Sequence, residues 1–474
     1  MSNSGKSLSL FSLIILTVGS VASVRNLPTI ALLGDSLIFF FTMATIFFLL
    51  PITLVTSKLS RILPHQGGIY IWARHAFGKK IGFLAIWFQW IGNIIWFPTI
   101  LSFAAATIGY LINPLLIDNK LFITTTVIII FWGTTIINLF GMKFSSRINN
   151  FCTIAGLFLP ILLIIGIGIA WFNAGNISQL HFTAKSFLPD YTNSKMWIAL
   201  TGMIMSFCGL EIATVHANDV KEPHKTFPIA LVISTTILAL ILFLGSIIVA
   251  CIIPRNNIDL LAGMMQTFQT FSFAFHLNWL MPTIAVILVL GSIGSISNWI
   301  IAPLKGLSVA TSETKHLKHF AKSNKHDAPH NLLVYQAIVV TLLMIVFLGF
   351  PSVKASYWLL TTLATQLFML MYILLFITGL FLHFKYPAKK HHSIILKTKN
   401  IGMVIICLFG IIGTLVTICI GFLPPSNLAI GSTLRYETIF ITGLIITILP
   451  PFLIHKKSKE EIEETLAIDL KIPN

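Results

Sequence analysis

Two ionisable side chains, Arg25 and Glu211, fall inside apolar segments long enough to cross a bilayer. A charge at membrane depth costs a few kcal/mol even on lenient insertion scales, so such a residue normally faces a cavity or a partner. Glu211 closes the run Ser206-Phe207-Cys208-Gly209-Leu210-Glu211, with a glycine two positions before the carboxylate. Arg25 stands in Thr17-Val18-Gly19-Ser20-Val21-Ala22-Ser23-Val24-Arg25-Asn26-Leu27-Pro28, where small and polar residues, a cation and a proline share one span. The remaining reactive side chains form no comparable constellation. The five cysteines (152, 208, 251, 407 and 419) have neither metal-ligand spacing nor paired loop positions, and the histidines between Lys315 and His330 have no repeated ligand spacing. No cofactor or metal is expected. Ser292, Ser295 and Ser297 keep a sodium site open, but no carboxylate accompanies them. An intramembrane enzyme needs more than two buried ionisable groups, and no phosphate-binding loop is present to couple nucleotide hydrolysis.

The chain has 474 residues, 56% of them hydrophobic and 10% charged, with mean hydropathy +0.90. That balance is foreign to soluble domains and describes an all-α polytopic membrane protein. Apolar runs of about 20 residues, each enough for one spanning helix, predict twelve transmembrane helices near 8–31, 35–57, 81–113, 121–140, 150–172, 195–217, 227–253, 280–310, 332–350, 355–383, 401–423 and 434–455. The first run is too long for a signal-peptide core and lacks a cleavage pattern, so it reads as a retained span. Spans one and six are both interrupted at mid-depth. Backbone exposed there is tolerated only where protein or a watery cavity satisfies it. They lie five spans apart and enter from opposite faces, the pattern of broken helices 1 and 6 in two inverted halves, which points to a ligand site at the midplane. Two independently kinked structural helices are the alternative.

Net charge is +16. With the N-terminus inside, the great majority of the 31 lysines and arginines collect on one side, including Lys58, Arg61, Arg74, Lys143, Lys221, Lys318, Lys389 and Lys456. By the positive-inside rule both termini are cytoplasmic, and the excess is a topology signal rather than a nucleic-acid footprint. Trp171, Trp197, Trp279 and Trp358 fall at outer helix ends, where indole suits the interface. Leu63 to Arg74 opens with a turn and continues as an amphipathic stretch, equally an inner gate or an interfacial helix. The segment Asn256 to Asn278 fits a re-entrant or capping element over an outer vestibule. Lys315 to His330 reads as a solvated cytoplasmic loop.

Taken together, Arg25-Asn26-Leu27-Pro28, Gln66-Gly67-Gly68-Ile69-Tyr70, Cys208-Gly209-Leu210-Glu211 with His216-Ala217-Asn218-Asp219, Ile258 to Phe268, Asn298-Trp299-Ile300-Ile301-Ala302-Pro303 and Phe422-Leu423-Pro424-Pro425-Ser426-Asn427 occur in the order and at the topological positions of a known family. The chain resembles the amino acid/polyamine/organocation transporters, and most closely the bacterial glutamate:GABA antiporter branch. That resemblance implies two inverted five-helix repeats, 8–172 and 195–383, with two appended helices over 401–455 and a cytoplasmic tail over 456–474, in one transporter domain. It implies alternating access at a bacterial inner membrane.

By position, Val21, Ala22 and Ser23 would offer backbone amides to a substrate carboxylate, and an unwound helix end does favour an anion. Phe207, Cys208, Gly209 and Leu210 would offer carbonyls to the ammonium. Glu211 matches an acidic position associated with proton response, leaving coupling or gating, a structural hydrogen bond and direct substrate contact open. Trp299 matches a tryptophan that lids or lines the site, with packing as the alternative, and Tyr372 matches a tyrosine facing it. Phe368 stands where the relatives have a second tyrosine, Ser295 stands where the exporters carry an acid, and the tail is shorter than theirs. Arg25 either lines the outer vestibule and steers anionic solutes, or it snorkels to the outer headgroups or pairs with a nearby backbone carbonyl; a direct pair with Glu211 is not expected. The expected partners are an amino acid, a proton and the lipid bilayer, without nucleic acid. The expected activity is secondary active amino acid transport of glutamate/GABA-like or other small amino acids, as antiporter or proton-coupled permease. An amino-acid-sensing transceptor, or a transporter of polyamines or other organocations, is the alternative.

Overall fold

The computed structural model describes residues 8–65, 67–140, 151–152, 154–181, 188–189, 194–314, 317–326, 328–386, 400–423 and 433–454. Among these the chain is helical apart from turns, and the one β-type pairing is an isolated bridge between Leu8 and Val220. Ten described helices are long and apolar enough to cross a membrane. The tail beyond 454 and the residues Pro424 to Asn427 lie outside the described residues.

The first span is broken. Helix α1 (Leu10–Val21) ends where Ala22 turns to extended backbone, and α2 (Asn26–Ala31) restarts after Arg25. The break therefore covers Ala22 to Arg25, starting one residue and ending two residues later than Val21 to Ser23. The long helix α3 (Gly34–Ile62) follows, relaxed by a single π-turn over Thr45–Leu49. Next come the short α4 (Ile69–Phe77), α5 (Lys79–Ile112), α6 (Lys120–Leu139) and α7 (Ile154–Asn173). Helix α8 (Ser194–Ser206) stops at a turn over Phe207 to Gly209, and Leu210–Asp219 continues as a 3₁₀ helix. Ten residues is long for 3₁₀ geometry, whose hydrogen bonds are poorer than those of an α-helix.

The remaining helices are α9 (Pro223–Ile252), α10 (Gly263–Ala274), α11 (Leu280–Ser312), α12 (His330–Phe347), α13 (Val353–Lys385), α14 (Asn400–Gly421) and α15 (Leu434–Ile454). Helix α5 is the axis of the bundle, packed along α11 and α13 and against α4. Its apolar window is 83% buried, against 11% for α15, which stands at the rim. Where α7 crosses α11, Gly156 and Gly291 meet backbone to backbone, so that a methyl group on either would overlap the other helix.

Both ends are closed by charges. Tyr70 and Arg74 of α4 donate to the Glu313 carboxylate just past α11, at 2.7 and 2.6 Å. Burial, with the Glu313 hydrogen bond added, holds the Tyr70 hydroxyl above the ordinary tyrosine range. Ile69 to Ala73 are buried against the bundle, so this stretch packs into the protein and is not laid on the lipid surface. At the other end Lys354 pairs with Asp259 at 2.8 Å, while Asp259 Oδ1 caps the amides of Leu261 and Ala262 ahead of α10. Tyr110 also donates to Gln269 of α10. Within the segment Asn256 to Asn278, helix α10 (Gly263–Ala274) is largely buried up to Ser272 and its end, from Phe273, is exposed. Trp279 is exposed at a helix end as expected, but Trp358 is 3% exposed and belongs to the core rather than to an interfacial belt.

Candidate functional site

The two helix breaks meet in the centre of the bundle. Gly209 has φ +109°, a conformation that costs a side-chain-bearing residue about 1–3 kcal/mol, and nothing larger than hydrogen fits there. A Cβ at Gly209 would lie 2.5 and 2.6 Å from Trp299 Cζ2 and Cη2, and 3.5 Å from Val21 Cγ2. The same Trp299 donates its indole N–H to the Ser20 carbonyl at 2.6 Å. One tryptophan therefore spans both interruptions, bonded to the end of α1 and lying on the glycine that breaks the sixth span.

Beneath it, Glu211 is 1% exposed. Its Oε1 accepts from Gln89 Nε2 at 2.8 Å and its Oε2 accepts from the Tyr372 hydroxyl at 2.7 Å. Tyr372 oxygen in turn accepts the Gly209 backbone N–H at 2.7 Å. The amide orphaned by the helix break is thereby satisfied, as a buried donor must be. The chain Gln89, Glu211, Tyr372, Gly209 ties three elements together: α5, the broken sixth span and α13. Phe368, one turn before Tyr372, packs its ring edge-on against Trp299 and closes against Gly92.

Phe207, Cys208, Leu210, Trp299, Phe368 and Tyr372 are all buried, as are Val21 and Ala22. Ser295 is placed apart from Glu211. With Ser23, Ala22 and Ser292 it lines a small cavity of about 20 Å³ beside the first break, at the Gly156–Gly291 crossing. That is room for about one water molecule. Ser297 is committed elsewhere, donating to Asn138.

Arg25 departs from both sequence readings. It is 3% exposed, so it neither snorkels to headgroups nor stands in an open vestibule. Its Nη1 donates to Thr99 at 3.0 Å and to Tyr357 at 3.3 Å, and its guanidinium lies 5.5 Å from the Trp96 ring centre. Trp96 is 5.2 Å from Trp299, so the arginine touches the central cluster through one indole. Cation–π contact and two neutral acceptors hold a charge that a carboxylate would normally balance.

Sequence reasoning passed over the α5 face that carries Gln89, Asn93 and Trp96. Asn93 is fully buried, and neither its Nδ2 nor its Oδ1 has a hydrogen-bond partner. An unsatisfied buried amide is destabilising by about 1–3 kcal/mol per group. The available signal was the spacing: two carboxamides one turn apart, followed by a tryptophan, in a span otherwise apolar.

Residues 8–446 match the amino acid permease family model. The chain belongs to the amino acid permease family. This permease is 34% identical to an uncharacterised transporter of Legionella pneumophila over 98% of the chain and 99% of that protein. It is 28% identical to a glutamate/gamma-aminobutyrate antiporter of Lactococcus lactis over 97% of the chain and 93% of that protein. With a probable agmatine/putrescine antiporter of Lactococcus lactis it shares 25% identity over 79% of each. The permease is thus a multi-pass membrane transporter and not an enzyme, in agreement with the resemblance read from its motifs.

Proposed function

We propose that this permease is a secondary active amino acid transporter of a bacterial inner membrane, working by alternating access around the cluster formed by Trp299, Gly209, Glu211 and Tyr372. The observation that carries the reading is the meeting of two helix breaks under one tryptophan. Completed by the two broken spans, the bundle has twelve transmembrane helices, with 8–172 and 195–383 as inverted repeats and the end that bears α4 facing the cytoplasm. Backbone amides at Ser23 to Arg25 receive the substrate carboxylate, the Ala22 amide being taken by the Val18 carbonyl, and carbonyls at Phe207 to Cys208 receive its ammonium, as dipoles at unwound helix ends favour. Asn93, a buried amide with no hydrogen-bond partner on either Nδ2 or Oδ1, supplies the polar contact for the substrate side chain. The small cavity at Ser23 and Ser295 holds water next to the amide pole.

Glu211 links the proton to the break. Both of its oxygens act as acceptors, so the present network suits a carboxylate. A proton added to Oε2 must donate to the Tyr372 oxygen, which already accepts from Gly209, and the tyrosine hydrogen then loses its acceptor. A proton added to Oε1 forces the Gln89 amide to turn over. Either way, protonation changes the bonds that hold the sixth span in its broken form. Glutamate and gamma-aminobutyrate are the first candidates, from the names of the relatives at 28% identity. The neutral surroundings, Ser295 and Phe368 included, suit small zwitterions as well. Polyamines are a less apt fit, since the buried cation Arg25 lies against Trp96, which packs on Trp299.

The test is flux into proteoliposomes preloaded with a panel of amino acids, agmatine and putrescine, with a pH gradient imposed and removed. Stimulation by one internal solute selects exchange, and stimulation by the gradient alone selects proton symport. No flux under any condition rejects transport in favour of a sensor that keeps the fold.

A further inference from the structure

A second cavity lies far from the centre. Helix α15 is held to α5 by the bond from Trp87 Nε1 to the Thr447 carbonyl at 2.9 Å. Its first half is anchored as well, by Tyr436 donating to the Gly421 carbonyl and by Gly443 against Leu363 of α13, and between these contacts lies a cleft of about 630 Å³ lined by α5, α12, α13 and α15, within the size range of ligand pockets. The walls are almost wholly apolar: Phe83, Trp90, Leu342, Leu360 and Ile446 are representative. Their indole donors are spoken for, Trp87 by Thr447 and Trp90 by Gln336, so the cleft presents little that a polar ligand could use. Tyr335, Leu342, Val346 and Ile446 on its lips are 45–64% exposed, which opens it sideways along helices long enough to span a bilayer. Lining residues run from Leu332 to Phe347 along α12, about 22 Å at 1.5 Å per residue.

One end of the cleft has a different character. Leu317 and Phe320 line its mouth, and they belong to the basic stretch after α11. Lys318 and Lys322 beside them are exposed, as are Lys79 and Lys80 at the start of α5, one turn from Phe83. The stretch is pinned in place: Asn331 donates to the His319 carbonyl, Asn324 donates to the Leu139 carbonyl, and the Phe320 ring packs on Tyr335 at 5.7 Å. Among the described residues the acid nearest in sequence, Glu313, is engaged by Arg74 and Tyr70, while Asp327, Lys315 and His316 lie outside the described residues.

We infer that the cleft between α12 and α15 is a binding site for one anionic phospholipid. An acyl chain fills the apolar slot, and the phosphate rests on Lys318 and Lys322 with Lys79 and Lys80 near. Basic pockets between transmembrane helices on the cytoplasmic side are suited to anionic headgroups, and the slot below supplies the hydrocarbon-lined depth that a soluble phosphate has no use for. The site is independent of the transport centre and of the substrate carried there. The lipid acts as a wedge that fixes α15 against α5.

The test is native mass spectrometry of the full chain from mixed micelles of phosphatidylcholine and phosphatidylglycerol. The wild-type protein retains one phosphatidylglycerol per chain in preference to phosphatidylcholine. Each lysine near an anionic headgroup is worth about a fivefold preference, so Lys318→Glu with Lys322→Glu reduces the selectivity roughly 25-fold or more while leaving phosphatidylcholine retained. Leu342→Trp with Ile446→Trp fills the slot and abolishes retention of both lipids. The lysine variant lies on an exposed loop and reports on the site even if the filled variant fails to fold. Wild type without preference for phosphatidylglycerol, or a folded filled variant that retains lipid as wild type does, overturns the assignment. So does a lipid-free dimer cross-linked through Ile446, which would make a second copy the occupant.

Discussion

Gly209→Ala tests the central geometry most directly, because two separable costs fall on one methyl group. The first is backbone strain at φ +109°, about 1–3 kcal/mol for a residue with a Cβ. The second is overlap with the Trp299 ring at 2.5 and 2.6 Å, which an overpacked core accommodates at about 1–3 kcal/mol. Together they destabilise the closed arrangement by about 2–6 kcal/mol, and at 1.4 kcal/mol per tenfold the flux through a cycle containing that arrangement falls roughly 30-fold to roughly 20,000-fold. Trp299→Leu in the same background removes the overlap and keeps the strain. The flux loss of the double variant is therefore smaller than the product of the two single losses by about 5- to 150-fold, the range of a 1–3 kcal/mol coupling. The assay is initial-rate exchange in proteoliposomes for whichever amino acid the panel identifies, with detergent-solubilised melting temperature as the folding control. Wild-type flux in Gly209→Ala, or single losses that simply multiply, would refute the close contact between the tryptophan and the broken span.

Glu211→Gln keeps the shape of the network and removes the proton site, so transport loses its pH dependence; a variant whose pH profile tracks wild type rules out the proton role of Glu211. Tyr372→Phe strands the Gly209 N–H and one Glu211 oxygen; at about 1–3 kcal/mol for each stranded group it lowers flux at least tenfold, and full activity would show that the tyrosine link is dispensable. Asn93→Leu removes an amide with no partners and so raises the melting temperature while lowering flux or changing substrate preference; unchanged flux with unchanged preference removes Asn93 from the substrate site. Glu313→Gln weakens the pairing with half-exposed Arg74 by no more than about 1 kcal/mol, raising severalfold the rate at which a thiol reagent added on the α4 side modifies Cys208 in a background without the other four cysteines. The Tyr70 arm of that latch withstands alkali. Its hydroxyl is raised above the unfolded value, chiefly by burial, so its stabilising contribution is complete below the ordinary tyrosine pKa and is lost only as pH climbs through the higher folded one. Labelling of Cys208, corrected for the reagent's own pH response by the Tyr70→Phe variant, should stay flat from neutral pH to about pH 10; an earlier rise in the wild type alone contradicts that assignment.

The fold was legible because its signals are local and additive. Runs of about 20 apolar residues announce spanning helices whatever their neighbours, and glycine, proline and charge at mid-span announce the two breaks. Even the shift of the first break from Val21–Ser23 to Ala22–Arg25 is a matter of one or two residues, within the usual uncertainty of helix ends. What sequence could not supply was partnership between distant elements. Glu211 was readable as a carboxylate in need of a partner, but the partners, Gln89 and Tyr372, lie 122 and 161 positions away. Inside an apolar bundle a glutamine or tyrosine gives no periodic signal of which helix it will face.

Arg25 shows the limit most sharply. The sequence offered Arg25 the outer vestibule, the headgroups or a backbone carbonyl, and the fold instead buries it among side chains. Thr99 and Tyr357 accept from it and Trp96 lies against it, three neutral groups on two different helices. Neutral partners stabilise a buried cation less than a carboxylate does, so the arrangement keeps a positive field beside the break at Ala22 to Arg25. If the substrate carboxylate enters there, the charge that the protein leaves unbalanced is balanced by the cargo, and binding then depends on Arg25 even without direct contact. Arg25→Gln separates the two possibilities: weakened binding of zwitterionic and anionic amino acids, with substrates lacking a carboxylate unaffected, follows from this argument. Equal weakening of all substrates would reduce Arg25 to a packing residue between α5 and α13.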